Sequence, residues 1–305
     1  MRIGIDLGGT KIEVIAFGDN GEVVFRDRVA TPQEDYSGTL QVIAELVVRL
    51  EWELGRQGTV GIGMPGAISP ATGLVKNSNS VCLNGRRFDR DLERLLRRPL
   101  RIANDANCFA LSEATDGAAA GAEVVFGVIL GTGTGGGVAV RGAILTGANA
   151  IAGEWGHNPL PWPHPEELLG PPCYCGKSGC IETYLSGPGL VRDFRAAGGR
   201  PISALEIGAQ AESGDEYADA VLARYEDRLA RGLASVINIL DPDMIVVGGG
   251  LSNIKRLYTE VPRFWSQYVF SDKITTQLVQ ARFGDSSGVR GAAWLWPIED
   301  LPMCS

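Results

Sequence analysis

Two stretches of this chain, about 125 residues apart, repeat one pattern: an apolar strand, a glycine turn, and a second strand. In the first, residues 3–7 run into Gly8 and Gly9, and residues 12–17 continue. In the second, residues 124–130 run into GTGTGGG (131–137), and residues 138–140 continue. Such a duplication predicts two α/β lobes with related cores and a deep cleft between them. The first lobe is expected over residues 1–117, with a terminal helix (289–296) and the rest of 289–305 packing back on it. The second is expected over 118–288. Helices are expected at 40–54, 105–115 and 218–239, and further strands at 23–28, 60–64, 100–103 and 244–247. The Pro-rich stretch 159–172 reads as an irregular loop.

Composition narrows the function classes. The 305 residues carry a net charge of −8 and no basic stripe, which argues against nucleic acid as a partner. The densest basic run, RLLRR (94–98), reads as the solvated face of a short helix. No apolar run of about 18 residues is present, so no membrane span is expected. Nor does the start show the basic and apolar regions of a secretory signal. Three of the six cysteines crowd into residues 173–180. A disulfide framework would be spread more evenly, so the clustering points to a metal in a reducing cytoplasm.

The glycine clusters point to phosphate. In DLGGTK (6–11), Gly8 and Gly9 let backbone N–H groups approach an anion, Thr10 and Lys11 add a hydroxyl and a charge, and Asp6 can hold hydrated Mg²⁺. Alone, the hexapeptide reads equally as an ordinary hairpin turn. It is not a Walker A loop, because a strand follows it rather than a helix. Gly131, Thr132, Gly133, Thr134, Gly135, Gly136 and Gly137 contain a literal G-x-G-x-x-G. The dinucleotide fingerprint needs a helix next, and here a strand is expected. A third cluster, VVGGGLSN (246–253), places Gly249 and Gly250 between a strand and an apparent helix, a further backbone-amide site. Three such clusters at strand ends favour one shared phosphate-bearing ligand.

DLGGTK, NDAN (104–107), GTGTGGG, EWGH (154–157), CYCGKSGCIE (173–182) and VVGGGLSN, in that order along the whole chain, resemble the ROK sugar kinases. The resemblance implies the two-lobed, actin-like, hexokinase-type ATPase fold, with duplicated β-hairpin phosphate turns and an interlobe cleft. It also implies ATP and a hexose as ligands, and a homodimer. Asn104 then matches the family's sugar-binding Asn and Asp105 its catalytic base. On its own Asp105 would read first as a helix N-cap. Glu154, His157 and Glu182 match sugar-pocket positions, although alone the two acids would read as surface groups. Cys173, Cys175 and Cys180 offer three thiolates, and one further ligand would complete a tetrahedral structural zinc site. The family motif favours His157 over His164 as that ligand. Cys82, Cys108 and Cys304 are expected to be bystanders. Residues 76–88 (KNSNSVCLNGRRF) and the ending GDSSGVRGAAWLWP resemble bacterial fructokinases, also called mannokinases. Fructose is therefore the expected sugar, with Asn77, Asn79 and Asn84 on a loop over it. Mannose, N-acetylglucosamine and glucose are the alternatives. A sugar-responsive repressor of the same family would carry an N-terminal helix-turn-helix, for which a strand beginning at Ile3 leaves no room.

Overall fold

The computed structural model describes residues 1–297; Cys304 lies outside the described residues. The strands are β1 (Arg2–Leu7), β2 (Lys11–Phe17), β3 (Val23–Ala30), β4 (Thr59–Met64), β5 (Ala67–Ile68), β6 (Val75–Lys76), β7 (Leu100–Asn104), β8 (Val124–Leu130), β9 (Thr134–Val140), β10 (Ala143–Ile144), β11 (Met244–Gly248) and β12 (Gln277–Gln280). The helices are α1 (Tyr36–Leu54), α2 (Phe88–Leu96), α3 (Asp105–Thr115), α4 (Ile181–Leu185), α5 (Gly187–Ala196), α6 (Ala204–Glu212), α7 (Glu216–Leu240), α8 (Leu257–Phe264) and α9 (Ser287–Trp294).

The chain divides into two compact units. The first takes Met1–Asp116, Gly142–Ala152 and the segment from Ser286; the second takes Gly117–Arg141 and Gly153–Asp285. The expected division placed residues 142–152 in the second lobe. They group with the first because Ile144 packs against the cluster holding Leu111 and Ala292, and Lys76 Nζ donates to Asn149 O at 2.7 Å.

In the first unit the sheet order is β3-β2-β1-β4-β7, antiparallel across the first three strands and parallel thereafter. The second unit repeats the scheme, with β9 antiparallel to β8, and β8, β11 and β12 parallel. β1 is buried at nearly every position because both of its faces are covered. On α1, Leu40, Ile43, Leu46, Val47 and Leu50 recur at helical spacing and are buried. Asp35 caps its start by accepting from Gly38 N, and Gly55 at φ 63° stops it. α9 lies on the sheet at backbone contact. A Cβ on Gly4 would meet Val289 O at 2.1 Å, and one on Gly61 would meet Ala292 O at 1.9 Å. In the second unit, Val221, Leu222, Tyr225, Leu229 and Leu233 make α7 the centre of the core.

Three local expectations are corrected. The turn between β8 and β9 ends at Gly133, because residues from Thr134 onward pair with β8 instead of forming a loop. The third glycine cluster leads into a 3₁₀ turn, Gly250–Asn253, and α8 begins only at Leu257. The run 94–98 is not uniformly solvated: Arg98 reaches Glu51 with two nitrogens, at 2.6 and 2.8 Å, and both side chains are largely buried.

Candidate active site

Each unit assembles its own part of the predicted machinery. In the first, Asp6 stands next to last in β1, and the Gly8–Gly9 turn follows Leu7. Gly8 N donates to Lys11 O at 3.0 Å, which closes the hairpin. Residues just past β3 fix the turn from outside, with Thr31 Oγ1 donating to Gly8 O at 2.8 Å and Gln33 Nε2 to Gly9 O at 2.7 Å. Gly9 and Thr10 remain exposed, while Lys11 is half-buried. The Asp6 carboxyl is pushed up to about 7, first by burial and then by the nearby charges of Asp105 and Glu13. Gly288, near the start of α9, leaves room for it: a Cβ there would stand 3.2 Å from Asp6 Oδ2.

Asn104 and Asp105 divide two roles at the β7–α3 junction. Asn104 is the N-cap, with Oδ1 accepting from Ala106 N at 2.9 Å and Nδ2 donating to Gly66 O at 3.1 Å. Asp105 is the first residue of the helix and is half-buried; its Oδ1 accepts from Ala106 N at 2.9 Å. The positive end of α3 lies under this carboxylate. Beside Asn104 lies a cavity of about 200 Å³, walled by Ala67, Ile68, Ile144 and Asn107 among others. Asn107 Oδ1 is buried there without a protein partner.

The loop expected over the sugar is partly self-occupied. Asn84 spends both amide atoms on Ser78, accepting from its N at 3.0 Å and donating to its O at 2.8 Å. Asn84 is therefore a loop staple, whereas, among the described residues, the side chains of the exposed Asn77 and Asn79 make no hydrogen bond of this kind to the loop.

In the second unit two glycine clusters lie side by side, because β8 and β11 are neighbours in parallel register. A Cβ on Gly249, at φ 80°, would meet Leu130 O at 2.4 Å, so only glycine fits there. Of the 131–137 run, Thr132 is exposed and Gly131 and Gly133 are half-exposed, whereas Thr134, Gly136 and Gly137 are buried. The stretch EWGH covers those buried residues. Trp155 Nε1 donates to Gly135 O at 3.0 Å, and a Cβ on Gly156 would meet Thr134 O at 2.1 Å. Gly136 and Gly137 thus serve packing, not phosphate contact. The exposed backbone for an anion is at Gly131, Thr132, Gly133 and Gly250.

His157, Cys173, Cys175 and Cys180 converge, with ligand atoms all within 4.8 Å of one another. Cys173 Sγ lies 3.6 Å from His157 Nδ1, and Cys175 Sγ lies 3.6 Å from Cys180 Sγ. A tetrahedron with zinc–sulfur bonds of about 2.3 Å has sulfurs about 3.8 Å apart, so the spacing fits. The charge balance fits as well. Burial, then Cys175 and Cys173, pushes the Cys180 thiol up to about 12, a cost that a divalent cation would offset. His164 is turned away, with Nε2 3.3 Å from Asp227 Oδ2. Cys82 and Cys108 stand outside the group.

Sequence reasoning missed two contacts. Tyr174 OH lies 2.9 Å from His157 Nε2 and so orients the ring from its other side. Glu182 Oε2 accepts from Thr134 N at 2.8 Å. Glu154 is exposed at the start of the 3₁₀ turn Trp155–His157. No helix among the described residues is long and apolar enough to cross a membrane.

Comparison with known proteins covers nearly the whole chain and supports the expected family, while the named relatives do not support fructose as the sugar. The ROK family model matches residues 2–299. N-acetyl-D-glucosamine kinase of Yersinia pseudotuberculosis is 42% identical over 97% of this chain and 98% of its own. A ROK hexokinase from Thermus thermophilus superimposes with a TM-score of 0.85 at 32% identity, covering 98% of each chain. A ROK glucokinase from Streptomyces griseus, solved with glucose and AMPPNP, gives 0.74 at 26% identity, covering 96% of this chain and 97% of its own.

Proposed function

The chain belongs to the ROK family and is an ATP-dependent sugar kinase, and we propose that it transfers the γ-phosphoryl group of ATP to the 6-hydroxyl of a hexose with Asp105 as general base. The observation that carries this reading is the β7–α3 junction. It holds a carboxylate on rigid backbone next to a capping Asn104 whose position is itself fixed. A sugar hydroxyl is a weak acid, and a placed carboxylate that accepts its proton assists attack on phosphorus. Asn104, Glu154, His157 and Glu182 would hold the sugar hydroxyls. Asp6, Gly8, Gly9, Thr10, Lys11, Gly131, Thr132, Gly133, Gly249 and Gly250 are the residues that would hold Mg·ATP. Magnesium would neutralise phosphate charge. Zinc at His157, Cys173, Cys175 and Cys180 would be structural, because four protein ligands leave no open position.

N-acetyl-D-glucosamine is the first reading of the sugar, supported by the name of the 42%-identical Yersinia relative. The cavity beside Asn104, whose walls mix Ala67, Ile68 and Ile144 with Asn107 and Thr146, has room for an acetamido group. Fructose is the second reading, supported by the stretch 76–88 and its exposed Asn77 and Asn79. ADP release on N-acetylglucosamine, fructose, mannose and glucose decides between them. The first reading expects N-acetylglucosamine to lead in kcat/KM by at least about tenfold, a difference of about 1.4 kcal/mol. A lead of that size for fructose would transfer the assignment, and inactivity on every hexose would remove the kinase reading.

A further inference from the structure

We propose that Glu182 is a positioning residue for the nucleotide turn, beyond the sugar contact assigned to it above. The proposal rests on the kinase reading only in naming the turn's ligand as ATP. The turn between β8 and β9 carries little of its own fixing. Within it, Gly131 N donates to Gly133 O at 3.0 Å. The rest comes from the segment just after Cys180. Glu182 Oε2 accepts from Thr134 N at 2.8 Å on one side of the turn. Gly187 N donates to Gly131 O at 2.7 Å on the other. The two contacts bracket Thr132 and Gly133, whose exposed backbone is what an anion would meet.

Gly133 shows how close the carboxylate lies. A Cβ at this position would stand 2.7 Å from Glu182 Oε2, with no other atom nearer than the same carboxyl carbon at 3.6 Å. Glycine here keeps the space that the carboxylate occupies. A carboxylate that accepts from a backbone N–H forms a charge-assisted bond, stronger than a neutral one. Its place is set from the chain start of α4, where Cys180 is the N-cap residue and Glu182 follows in the first turn. Glu182 therefore holds the turn in one conformation before nucleotide arrives, which lowers the ordering cost of binding.

The test is calorimetric titration of the full-length protein with Mg·AMPPNP in the absence of sugar. Wild type, Glu182→Ala, Glu182→Gln, Gly133→Ala and the double variant Glu182→Ala/Gly133→Ala are compared, with thermal unfolding as the check on folding. Glu182→Ala is expected to weaken nucleotide binding about tenfold or more, the scale of a lost charge-assisted hydrogen bond. Glu182→Gln keeps an acceptor oxygen and is expected to stay within about threefold of wild type. Gly133→Ala displaces the carboxylate and should match Glu182→Ala, and the double variant should be no worse than either. Wild-type nucleotide affinity in Glu182→Ala, with only sugar KM raised, would overturn the proposal and leave Glu182 a sugar ligand alone. Additive losses in the double variant would also overturn it, because Gly133→Ala would then act by direct obstruction. Should Glu182→Ala fail to fold, unchanged affinity in Gly133→Ala overturns the proposal by itself. A wild-type protein that binds no Mg·AMPPNP without sugar overturns the proposal that the turn is held ready before nucleotide arrives, while the kinase reading is decided separately by ADP release on the hexose panel.

Discussion

Asp105 and Asn104 are neighbours with different work. Asn104 closes the helix start and ties it to Gly66 O. That leaves Asp105 as the first helical residue instead of the cap that an isolated Asp would suggest. Asp105→Asn should lower kcat by roughly 10²–10⁴-fold, the range for losing a general base, while sugar affinity changes little. Steady-state kinetics with a direct sugar titration checks this; a folded variant with near-normal kcat would exclude the role. The thiolate cluster was readable in the sequence from its spacing, and the histidine and the Asn-Asp pair from their resemblance to the family's motifs. The partners of those residues were not. Glu182 and Thr134 stand 48 residues apart, and their contact exists only once the segment after the cysteine loop lies against the β8–β9 turn. Asn84 likewise looked like a sugar contact until its amide was found bonded to Ser78.

Strands and helices were legible where periodicity and caps agree, as in β1, β2, β8, α3 and α7. Misreading came where glycine was abundant. The run 131–137 reads as loop because glycine disfavours strand interiors. Here the absence of side chains is required, since Trp155 and Gly156 lie directly on β9. α9 poses the same requirement on the first sheet. Gly61→Ala places a methyl 1.9 Å from Ala292 O, which only a shift of α9 can relieve. It should cost about 1–3 kcal/mol or more, read as a lower urea midpoint at unchanged slope. The cysteine loop should behave as a metal-dependent element. Purified protein is expected to hold about one zinc per chain, and Cys175→Ser should lose metal and melting temperature together. A metal-free protein that melts at the same temperature would rule the site out.

At the scale of the whole chain, the repeated strand–turn–strand pattern announced two related sheets, and both are present. The charged network that secures the second unit's core gave no such signal, since arginines on a helix usually face water. Arg231 is fully buried on α7, with Arg228 nearly so. Both converge on Glu167, at 2.6 Å from Arg228 Nε and 2.8 Å from Arg231 Nη1. Arg231 also donates to Pro161 O and Trp162 O, so the Pro-rich loop hangs from the same guanidinium. Burial alone would raise the Glu167 carboxyl, but the hydrogen bonds from Arg231 and Arg228 outweigh it and hold the group at about 2. An unfolded Glu titrates near about 4.3. A depressed folded value means that the stabilisation is complete above the unfolded pKa and is lost as pH falls from there through the folded one. Glu167→Gln leaves buried guanidinium charge under-compensated and should cost roughly 3–5 kcal/mol at pH 7. Urea unfolding of wild type and variant at pH 7, 5 and 3 should show an equal gap at the two higher values and a smaller one at pH 3, where the unfolded wild type has taken up a proton that the folded state still refuses. A gap of constant size down to pH 3 would mean that the substitution removes packing and hydrogen bonds alone, and that the charge on Glu167 does not stabilise the fold.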